Sequence, residues 1–235
     1  MNLTDFRVLS FDCYGTLIDW ESGILIALRP LVHRAGLTLD GEAILSAFAA
    51  EETVQQAEAP AMPYAAVLGL VHARLARRWG VADMPAENNR FRASIGDWPA
   101  FPDTAEALRV LGQRYRLVIL SNVDRGGFQA SNARLGVTFG AVYTAQDIGS
   151  YKPDLRNFTY LIDRLAADGF HKSEILHVAQ SLFHDHAPAN ATGLASAWID
   201  RRHGATGWGA TAPPPPGVRY DFCFRSLGEM AAALG

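Results

Sequence analysis

The chain has 235 residues, of which 49% are hydrophobic and 19% are charged, and its formal net charge is −3. This balance argues against a nucleic-acid-binding protein and against one that binds an anionic membrane surface. No apolar run is long enough to span a bilayer, and no signal-type segment begins the chain. The two cysteines, Cys13 and Cys223, are far apart, which is typical of a reducing compartment. We therefore expect a soluble protein of the cytoplasm.

The first predicted element is a buried strand over residues 6–11, an apolar run that ends at Asp12. Gly15 breaks the pattern three residues later. In an open parallel sheet, ligands bind just beyond the carboxyl ends of the strands. Asp12 is therefore a candidate catalytic carboxylate, although an aspartate in this place also commonly begins a turn.

Residues 20–97 have a different character, because their apolar residues recur at helical spacing. Breaks at Gly36 and at residues 59–63 separate the helices. The three apolar sets are Ile24, Leu25, Leu28, Leu31 and Val32, then Ile44, Leu45 and Phe48, then Val67, Leu68, Val71, Leu75 and Trp79. A helical block inserted after one strand predicts a cap over the carboxyl edge of the sheet. The alternative is a helical subdomain with no role in catalysis.

From residue 98 onward, predicted strands alternate with helices. The strands are at 117–120, 141–144, 175–179 and 196–200, followed by an edge strand at 221–224 and a short final helix. Such alternation predicts an α/β fold with a doubly wound, Rossmann-like parallel sheet. We expect residues 1–19 and 98–235 to form this core domain and residues 20–97 to form an all-helical cap domain.

Polar residues follow four of these elements. They are Asp12, then Ser121 and Asn122, then Lys152, then Gln180, Ser181, His184 and Asp185. Because the ends of parallel strands meet at one edge of a sheet, we expect these side chains to lie close together. Packing alone does not explain so many polar strand ends, and Lys152 is one of only two lysines in the chain.

The ordered set resembles the four motifs of the haloacid dehalogenase-like superfamily. The matching stretches are Asp12-Cys13-Tyr14-Gly15-Thr16, Leu120-Ser121-Asn122, Lys152-Pro153, and Val178-Ala179-Gln180-Ser181 with Asp185. The resemblance covers essentially the whole chain, and the helical insertion stands where this superfamily places one type of cap. It implies a hydrolase in which Asp12 is a covalent nucleophile.

Two departures separate the chain from the phosphatases of that superfamily. Phosphatases carry an aspartate two residues after the nucleophile, where this chain has Tyr14, and an acidic residue where it has Gln180. Mg²⁺ prefers charged oxygen ligands, and Asp12 and Asp185 alone make a thin shell. We therefore expect chemistry without a metal or other cofactor, and keep a Mg²⁺-dependent phosphatase as an alternative.

The first motif, with Tyr14 in place of the second aspartate, resembles the 2-haloacid dehalogenases. In these enzymes a carboxylate displaces halide from C2 of the substrate, and water then hydrolyses the ester. By this resemblance Lys152 keeps the nucleophile ionised, and Asp185 positions or deprotonates the hydrolytic water. The catalytic residues that the resemblance implies are Asp12, Thr16, Ser121, Asn122, Lys152 and Asp185.

The dehalogenases also hold the halide with an arginine at the start of their second cap helix, but residues 39–42 contain none. Arg29 and Arg34 are candidates to replace it. Phe158 stands where those enzymes carry a tyrosine. Longer matches resemble the (S)-azetidine-2-carboxylate hydrolases of the same branch, in residues 11–21, 98–104, 149–153, 157–160, 184–186, 196–199 and 201–204.

Azetidine-2-carboxylate hydrolases open a strained cyclic amino acid to 2-hydroxy-4-aminobutyrate. A departing ammonium needs no halide-binding arginine, so the missing arginine fits this resemblance. The first expectation is therefore ring opening of (S)-azetidine-2-carboxylate, and the alternative is an (S)-2-haloacid dehalogenase. A non-catalytic binding module that keeps the fold is a third hypothesis.

The expected partner is a small carboxylic acid, and the cap helices offer faces for a homodimer. Trp20 is expected either to line an apolar pocket or to pack the cap onto the core. Tyr14 is expected either to donate a hydrogen bond to the substrate or to fill the hinge. Three adjacent residues, 184–186, cannot converge on one ion, so we expect no metal there. The candidate substrate-binding residues are Tyr14, Trp20, Ser121, Asn122, Gln180, Ser181 and His184.

Overall fold

The computed structural model describes residues 1–234, so the last residue of the predicted core domain, 235, lies outside the described residues. Its strands form one parallel six-stranded sheet in the order β3-β2-β1-β4-β5-β6, which confirms the predicted α/β fold. Their bounds are β1 Val8–Phe11, β2 Arg116–Ser121, β3 Ala141–Thr144, β4 Ile175–Ala179, β5 Ala195–Ile199 and β6 Phe222–Phe224. The edge strand predicted near residue 222 is the last of them.

β1 lies in the middle of the sheet and is buried along its whole length. Its last residue, Phe11, is level with Ile119 of β2 and Val178 of β4. The chain winds outward from β1 to β3 in one direction and from β4 to β6 in the other. A reversal of this kind leaves a crevice at the carboxyl ends of β1 and β4, and Asp12 follows β1 directly at that crevice.

Four helices connect β1 to the rest of the core and form the inserted helical block. They are α1 Trp20–Arg34, α2 Gly41–Glu58, α3 Tyr64–Arg78 and α4 Pro85–Ala93. Aspartates begin the first two, since the side chains of Asp19 and Asp40 accept bonds from Ser22 N and Ala43 N. The sequence did not predict α4, because Phe91 is its one buried residue and no apolar stripe marks it. The exact domain boundaries stay a prediction.

The remaining helices cover the two faces of the sheet. They are α5 Thr104–Leu111, α6 Arg125–Leu135, α7 Ala145–Ile148, α8 Leu155–Ala167, α9 Ala187–Thr192 and α10 Leu227–Ala232. Side chains alternate along β1, so Leu9 and Phe11 join one apolar cluster while Val8 joins the other. Among residues 1–234 the structure has no helix that is both long and apolar enough to cross a membrane.

Candidate active site

The nucleophile loop begins where β1 ends. It turns back on itself through a bond from Leu17 N to Cys13 O (2.8 Å), with Gly15 at a left-handed φ of 91°. A side chain on Gly15 would also come within 3.0 Å of the indole nitrogen of Trp20. This tight turn lets the Thr16 hydroxyl donate to Asp12 Oδ2 at 2.7 Å, so Thr16 fixes the orientation of the Asp12 carboxylate.

Lys152 joins the two acidic residues of the site. Its ammonium donates to Asp12 Oδ1 (3.0 Å), to Asp185 Oδ1 (2.6 Å) and to the carbonyl oxygen of Leu120 (3.0 Å). All three charged side chains are buried. Burial alone would lower the pKa of Lys152, but the two adjacent carboxylates raise it. The ammonium is therefore fixed in its charged form between them.

Asp185 reaches the site from a single wide helical turn, Leu182–His186. Asp185 Oδ1 also accepts from His177 Nε2 at 2.9 Å, and His177 Nδ1 is hydrogen-bonded to the Ser10 hydroxyl at 2.9 Å. Asp185 Oδ2 is buried and has no partner within the described part of the chain. One oxygen is therefore held rigidly while the other is available to a water molecule.

The two carboxylates that share Lys152 have opposite pKa shifts. Burial raises the pKa of Asp12, and the attraction of Lys152 offsets this only in part. Burial also raises the pKa of Asp185, but Lys152 and His177 outweigh it and hold that pKa well below its usual range. Asp12 is thus the more basic of the two carboxylates, and Asp185 is the weaker base.

A cavity of about 30 Å³ opens beside Asp12, between the core and the helical block. All of the predicted site residues line it except Thr16 and Gln180. Thr16 lies behind the nucleophile, and its hydroxyl accepts a bond from the backbone nitrogen of Gln180 at 3.0 Å. Gln180 does not line this cavity, and its side-chain oxygen lies beside Gly15, so substrate binding by Gln180 stays a prediction.

The polar groups of two lining residues are bonded within the protein. The Tyr14 hydroxyl donates to the carbonyl oxygen of Gly127 (3.2 Å) and bonds Ser131 Oγ (2.8 Å), so it is not free to meet a substrate. Both halves of the Asn122 amide bond the backbone of Lys152, at 2.6 and 3.0 Å. Tyr14 thus fills the hinge and offers only its ring, and Asn122 holds the lysine turn in place.

Other lining residues keep free polar groups or apolar faces toward the cavity. Ser121 Oγ is buried and has no partner within residues 1–234, so it is available to a substrate carboxylate. Trp20 both lines the cavity and packs edge-on against Phe48 with ring centroids 6.1 Å apart. Burial lowers the pKa of His184 to about 4, so this imidazole is neutral at pH 7.

The structure adds residues that the sequence analysis missed. Glu52 and Gln56 of α2, Tyr64 of α3 and Thr211 of the loop after β5 line the cavity, and His177 supports Asp185. A signal existed for two of them. His177 interrupts an apolar strand, and Glu52 falls four residues after Phe48 on the buried stripe of its helix.

The expected replacement for a halide-binding arginine is absent. Arg34 bonds Ala82 O and Glu87 Oε2, and Arg29 is exposed, so neither lines the cavity. In the part of the chain that the structure describes, no arginine of any kind lines it. Lys152 is the one permanent cation there, and both of its carboxylate partners are already in place.

These residues do not fit a resident magnesium ion. The two acidic side chains of the motifs share the Lys152 ammonium, and the third position is the neutral Gln180. Within residues 1–234, no group of three or more His, Cys, Asp or Glu side chains is arranged to hold a metal ion. Mg²⁺ in proteins is usually held by one or two carboxylates together with water or phosphate oxygens, and here both carboxylates are already bonded to an ammonium.

A family model described as haloacid dehalogenase-like hydrolase matches residues 6–182. The chain belongs to this family. The match spans all four motifs up to Ser181, and the ion cluster of Asp12, Lys152 and Asp185 is where the motifs converge. The family assignment therefore agrees with the geometry of the site and makes the protein a hydrolase.

Within the family, the chain is similar to 2-haloacid dehalogenases. It is 26% identical over 212 residues to (S)-2-haloacid dehalogenase 4A of Burkholderia cepacia, which covers 83% of this chain and 84% of that protein. A defluorinating L-2-haloacid dehalogenase superposes with a TM-score of 0.79 at 22% identity, over 99% of this chain and 98% of that one. The L-2-haloacid dehalogenase of Xanthobacter autotrophicus with covalently bound chloropropionic acid gives 0.78 at 21% identity, over 97% and 98% of the two chains.

Proposed function

We propose that this protein hydrolyses the bond between C2 and a substituent of a small carboxylic acid, through an ester on Asp12 and without a metal. The observation that carries the proposal is the buried Asp12–Lys152–Asp185 cluster, in which one carboxylate faces the cavity as a nucleophile and the other keeps an oxygen free. The similarity to 2-haloacid dehalogenases supports the same chemistry.

In the first step, an oxygen of Asp12 attacks C2, and the substituent leaves from the opposite side with the bonding electron pair. Lys152 and Thr16 hold the carboxylate in its attacking orientation at 3.0 and 2.7 Å. Ser121 is placed to bind the substrate carboxylate. The step inverts the configuration at C2 and leaves an ester between Asp12 and the substrate.

In the second step, water attacks the carboxyl carbon of Asp12 and the bond from that carbon to the oxygen on C2 breaks. One proton of the water goes to this oxygen, which leaves as the hydroxyl of a 2-hydroxy acid, and the other proton is released. Asp185 Oδ2 is the oxygen that positions this water, because Oδ1 is occupied by Lys152 and His177. Lys152 stabilises the negative charge that develops on the Asp12 oxygen it contacts. The enzyme returns to its starting state with one oxygen of Asp12 taken from water.

Two leaving groups are compatible with these steps. Similarity to the dehalogenases favours a halide, and so a 2-haloacid, more directly than it favours azetidine-2-carboxylate. The ring amine of (S)-azetidine-2-carboxylate, as the second candidate, is favoured by a cavity with no arginine among its lining residues within 1–234. Phosphate-ester hydrolysis is disfavoured, because the Tyr14 hydroxyl is turned away and no acid stands in its place.

The test is a pair of assays on the purified enzyme, run with and without a chelator. Chloride release from (S)-2-chloropropionate and primary amine formation from (S)-azetidine-2-carboxylate are followed in parallel with hydrolysis of an aryl phosphate. We expect turnover of at least one carboxylic acid, insensitive to the chelator and giving the (R)-configured hydroxy acid from the chloro substrate. Chelator-sensitive release of phosphate as the only activity would contradict the proposal. The homodimer and the cytoplasmic location stay predictions.

A further inference from the structure

The second half of α2 carries an unusual set of buried side chains. Its first half buries apolar residues, which are Ile44, Leu45, Ala47, Phe48 and Ala49. Further along the helix, the buried residues are Glu52, Gln55 and Gln56, and the first and last of these line the cavity that contains Asp12. A helix that only packs would keep its stripe apolar, because burying a carboxyl or amide costs free energy unless it is paired.

Glu52 has one protein partner. Tyr64, at the start of α3, donates its hydroxyl to Glu52 Oε1 at 2.6 Å, and both side chains are only 3% exposed. No lysine, arginine or histidine pairs with Glu52 in the described part of the chain. A buried carboxyl with no cation beside it leaves a place for a cationic ligand.

The charges around the cavity favour the same ligand. The ammonium of Lys152 is committed to Asp12 and Asp185, and His184 is neutral at pH 7. A halide that departs toward Glu52 would approach a carboxyl group and no free cation. A protonated ring nitrogen bound there would meet its counter-ion before the ring opens.

We infer that Glu52, held by Tyr64, binds the leaving group, and that this leaving group is a protonated ring nitrogen on C2 of the substrate. The inference rests on the proposed function and names its substrate class, a small carboxylic acid with a basic nitrogen in a strained ring. As the bond from Asp12 to C2 forms, the C2–N bond breaks and its electron pair stays on the nitrogen. The amine is freed within the same molecule and takes up a proton released when water hydrolyses the ester.

The ionisation of Glu52 supports this role. Burial raises the pKa of Glu52 to about 7, with the bond from Tyr64 opposing the rise. An arriving ammonium stabilises the carboxylate and draws the pKa back down. The titratable groups that face Glu52 from the neighbouring elements are Asp12, Tyr14, Tyr64, Tyr151, Lys152, His184 and Asp185.

A binding experiment tests the inference separately from catalysis. In the Asp12→Asn variant, which cannot turn over, (S)-azetidine-2-carboxylate is compared with cyclobutanecarboxylate, a ring of the same size without nitrogen. We expect the nitrogen compound to bind at least about 10-fold more tightly, and Glu52→Gln in the same background to abolish that preference. Glu58→Gln on the exposed end of α2 is the matched control and keeps it.

Turnover gives the second measurement. Glu52→Gln alone is expected to lower kcat/KM for ring opening by about 100-fold or more. The kcat/KM of the same variant for chloride release from (S)-2-chloropropionate is expected to fall by less than about 10-fold. The rate of ring opening should depend on pH near 7, where Glu52 ionises. Tyr64→Phe removes the hydrogen bond that lowers the pKa of Glu52, so this pH dependence should shift to higher pH.

The outcomes separate the two proposals. A preference for the nitrogen ring that survives Glu52→Gln, or equal losses on both substrates, would overturn the role of Glu52 and leave the Asp12 chemistry standing. Chelator-sensitive phosphatase activity with neither carboxylic acid turned over would overturn the proposed function itself.

Discussion

The two walls of the cavity differ in how their charges are compensated. On the core wall, Asp12, Lys152 and Asp185 form a closed set in which each charge has a partner at 2.6 to 3.0 Å. On the wall contributed by the helical block, Glu52 is bonded by a tyrosine hydroxyl and has no cationic partner within residues 1–234. The core wall is prepared for a reaction before substrate arrives, whereas the other wall is completed by the substrate.

This difference divides the functions of the site. In the proposed mechanism the paired groups of the core wall hold the nucleophile and the hydrolytic water in place, and such positioning serves any leaving group. An unpaired buried carboxyl is costly, so it discriminates among ligands by the charge they bring. The same chemistry on the core wall is therefore compatible with different substrates, and the residues of the opposite wall select among them.

The largest expected effect comes from removing the nucleophile on the core wall. Asp12→Asn should reduce kcat by on the order of 10⁴-fold, because the amide cannot form the ester. Steady-state turnover of the better substrate measures this loss, and circular dichroism confirms the fold. A variant that keeps a tenth of the activity would show that Asp12 is not the attacking group.

Breaking the compensation on the core wall should cost stability as well as activity. Lys152→Met leaves two buried carboxylates without their cation, so the free energy of unfolding should fall by about 3–5 kcal/mol. Urea unfolding at pH 7 measures it. Lys172→Met is the control, because that lysine bonds only the carbonyl oxygen of Thr192 at the surface. Equal losses of unfolding free energy in Lys152→Met and Lys172→Met would contradict the claim that Lys152 compensates the two buried carboxylates.

On the opposite wall, the buried Glu52 should make the free energy of unfolding depend on pH. The pKa of Glu52 is about 7 in the folded protein and 4.5 ordinarily, so the folded state binds this proton more tightly than the unfolded state. The stabilisation of the folded state by this proton is complete below pH 4.5 and is lost as the pH rises to about 7. Glu52→Gln has no such proton to lose. Its free energy of unfolding should therefore exceed that of the wild type by about 3 kcal/mol at pH 8 and differ little from it at pH 4.5.

Urea unfolding of the wild type and of Glu52→Gln at both pH values measures that difference. Glu58→Gln on the same helix, which is exposed and paired with Arg74, should follow the wild type at each pH. Equal stability of Glu52→Gln and the wild type at pH 8 would mean that burying the ionised Glu52 does not destabilise the folded protein.

The smallest expected effect concerns the contact that joins the two walls. Arg202, in the loop after β5, pairs with Glu21 of α1 and Glu42 of α2, and that loop carries Thr211 to the cavity. Arg202→Gln should raise KM by up to about 5-fold with kcat nearly unchanged, and the difference should shrink in 1 M salt. Arg109→Gln, which breaks an exposed pair with Glu106, is the control. A fall in kcat larger than the rise in KM would contradict this.

The core wall could be predicted from the sequence because its residues follow parallel strands. The register of β1 with β2 and β4 places Asp12, Ser121 and Gln180 at one edge of the sheet. The position of Lys152 followed from the resemblance to the superfamily. The direction of individual side chains was less accessible, since the Tyr14 hydroxyl turns away through bonds to the distant Gly127 and Ser131.

The other wall could not be predicted in the same way. Helices α2 and α3 are placed over the sheet by packing between residues far apart in sequence, and periodicity does not define that placement. Glu52 was nevertheless marked by its position on a buried stripe, four residues after Phe48. Thr211 gave no such signal, because it lies in an irregular loop that reaches the cavity through the contacts of Arg202.

The central claim is that Asp12 forms a covalent ester, and a single turnover in ¹⁸O-water tests it most directly. Enzyme in excess over its better substrate is allowed one turnover, and both the product and the peptide that contains Asp12 are analysed by mass spectrometry. The account predicts ¹⁸O in the carboxylate of Asp12 and a first product whose new hydroxyl carries ¹⁶O. Label in the product hydroxyl, with none in Asp12, would show that water attacks C2 directly and would contradict the account.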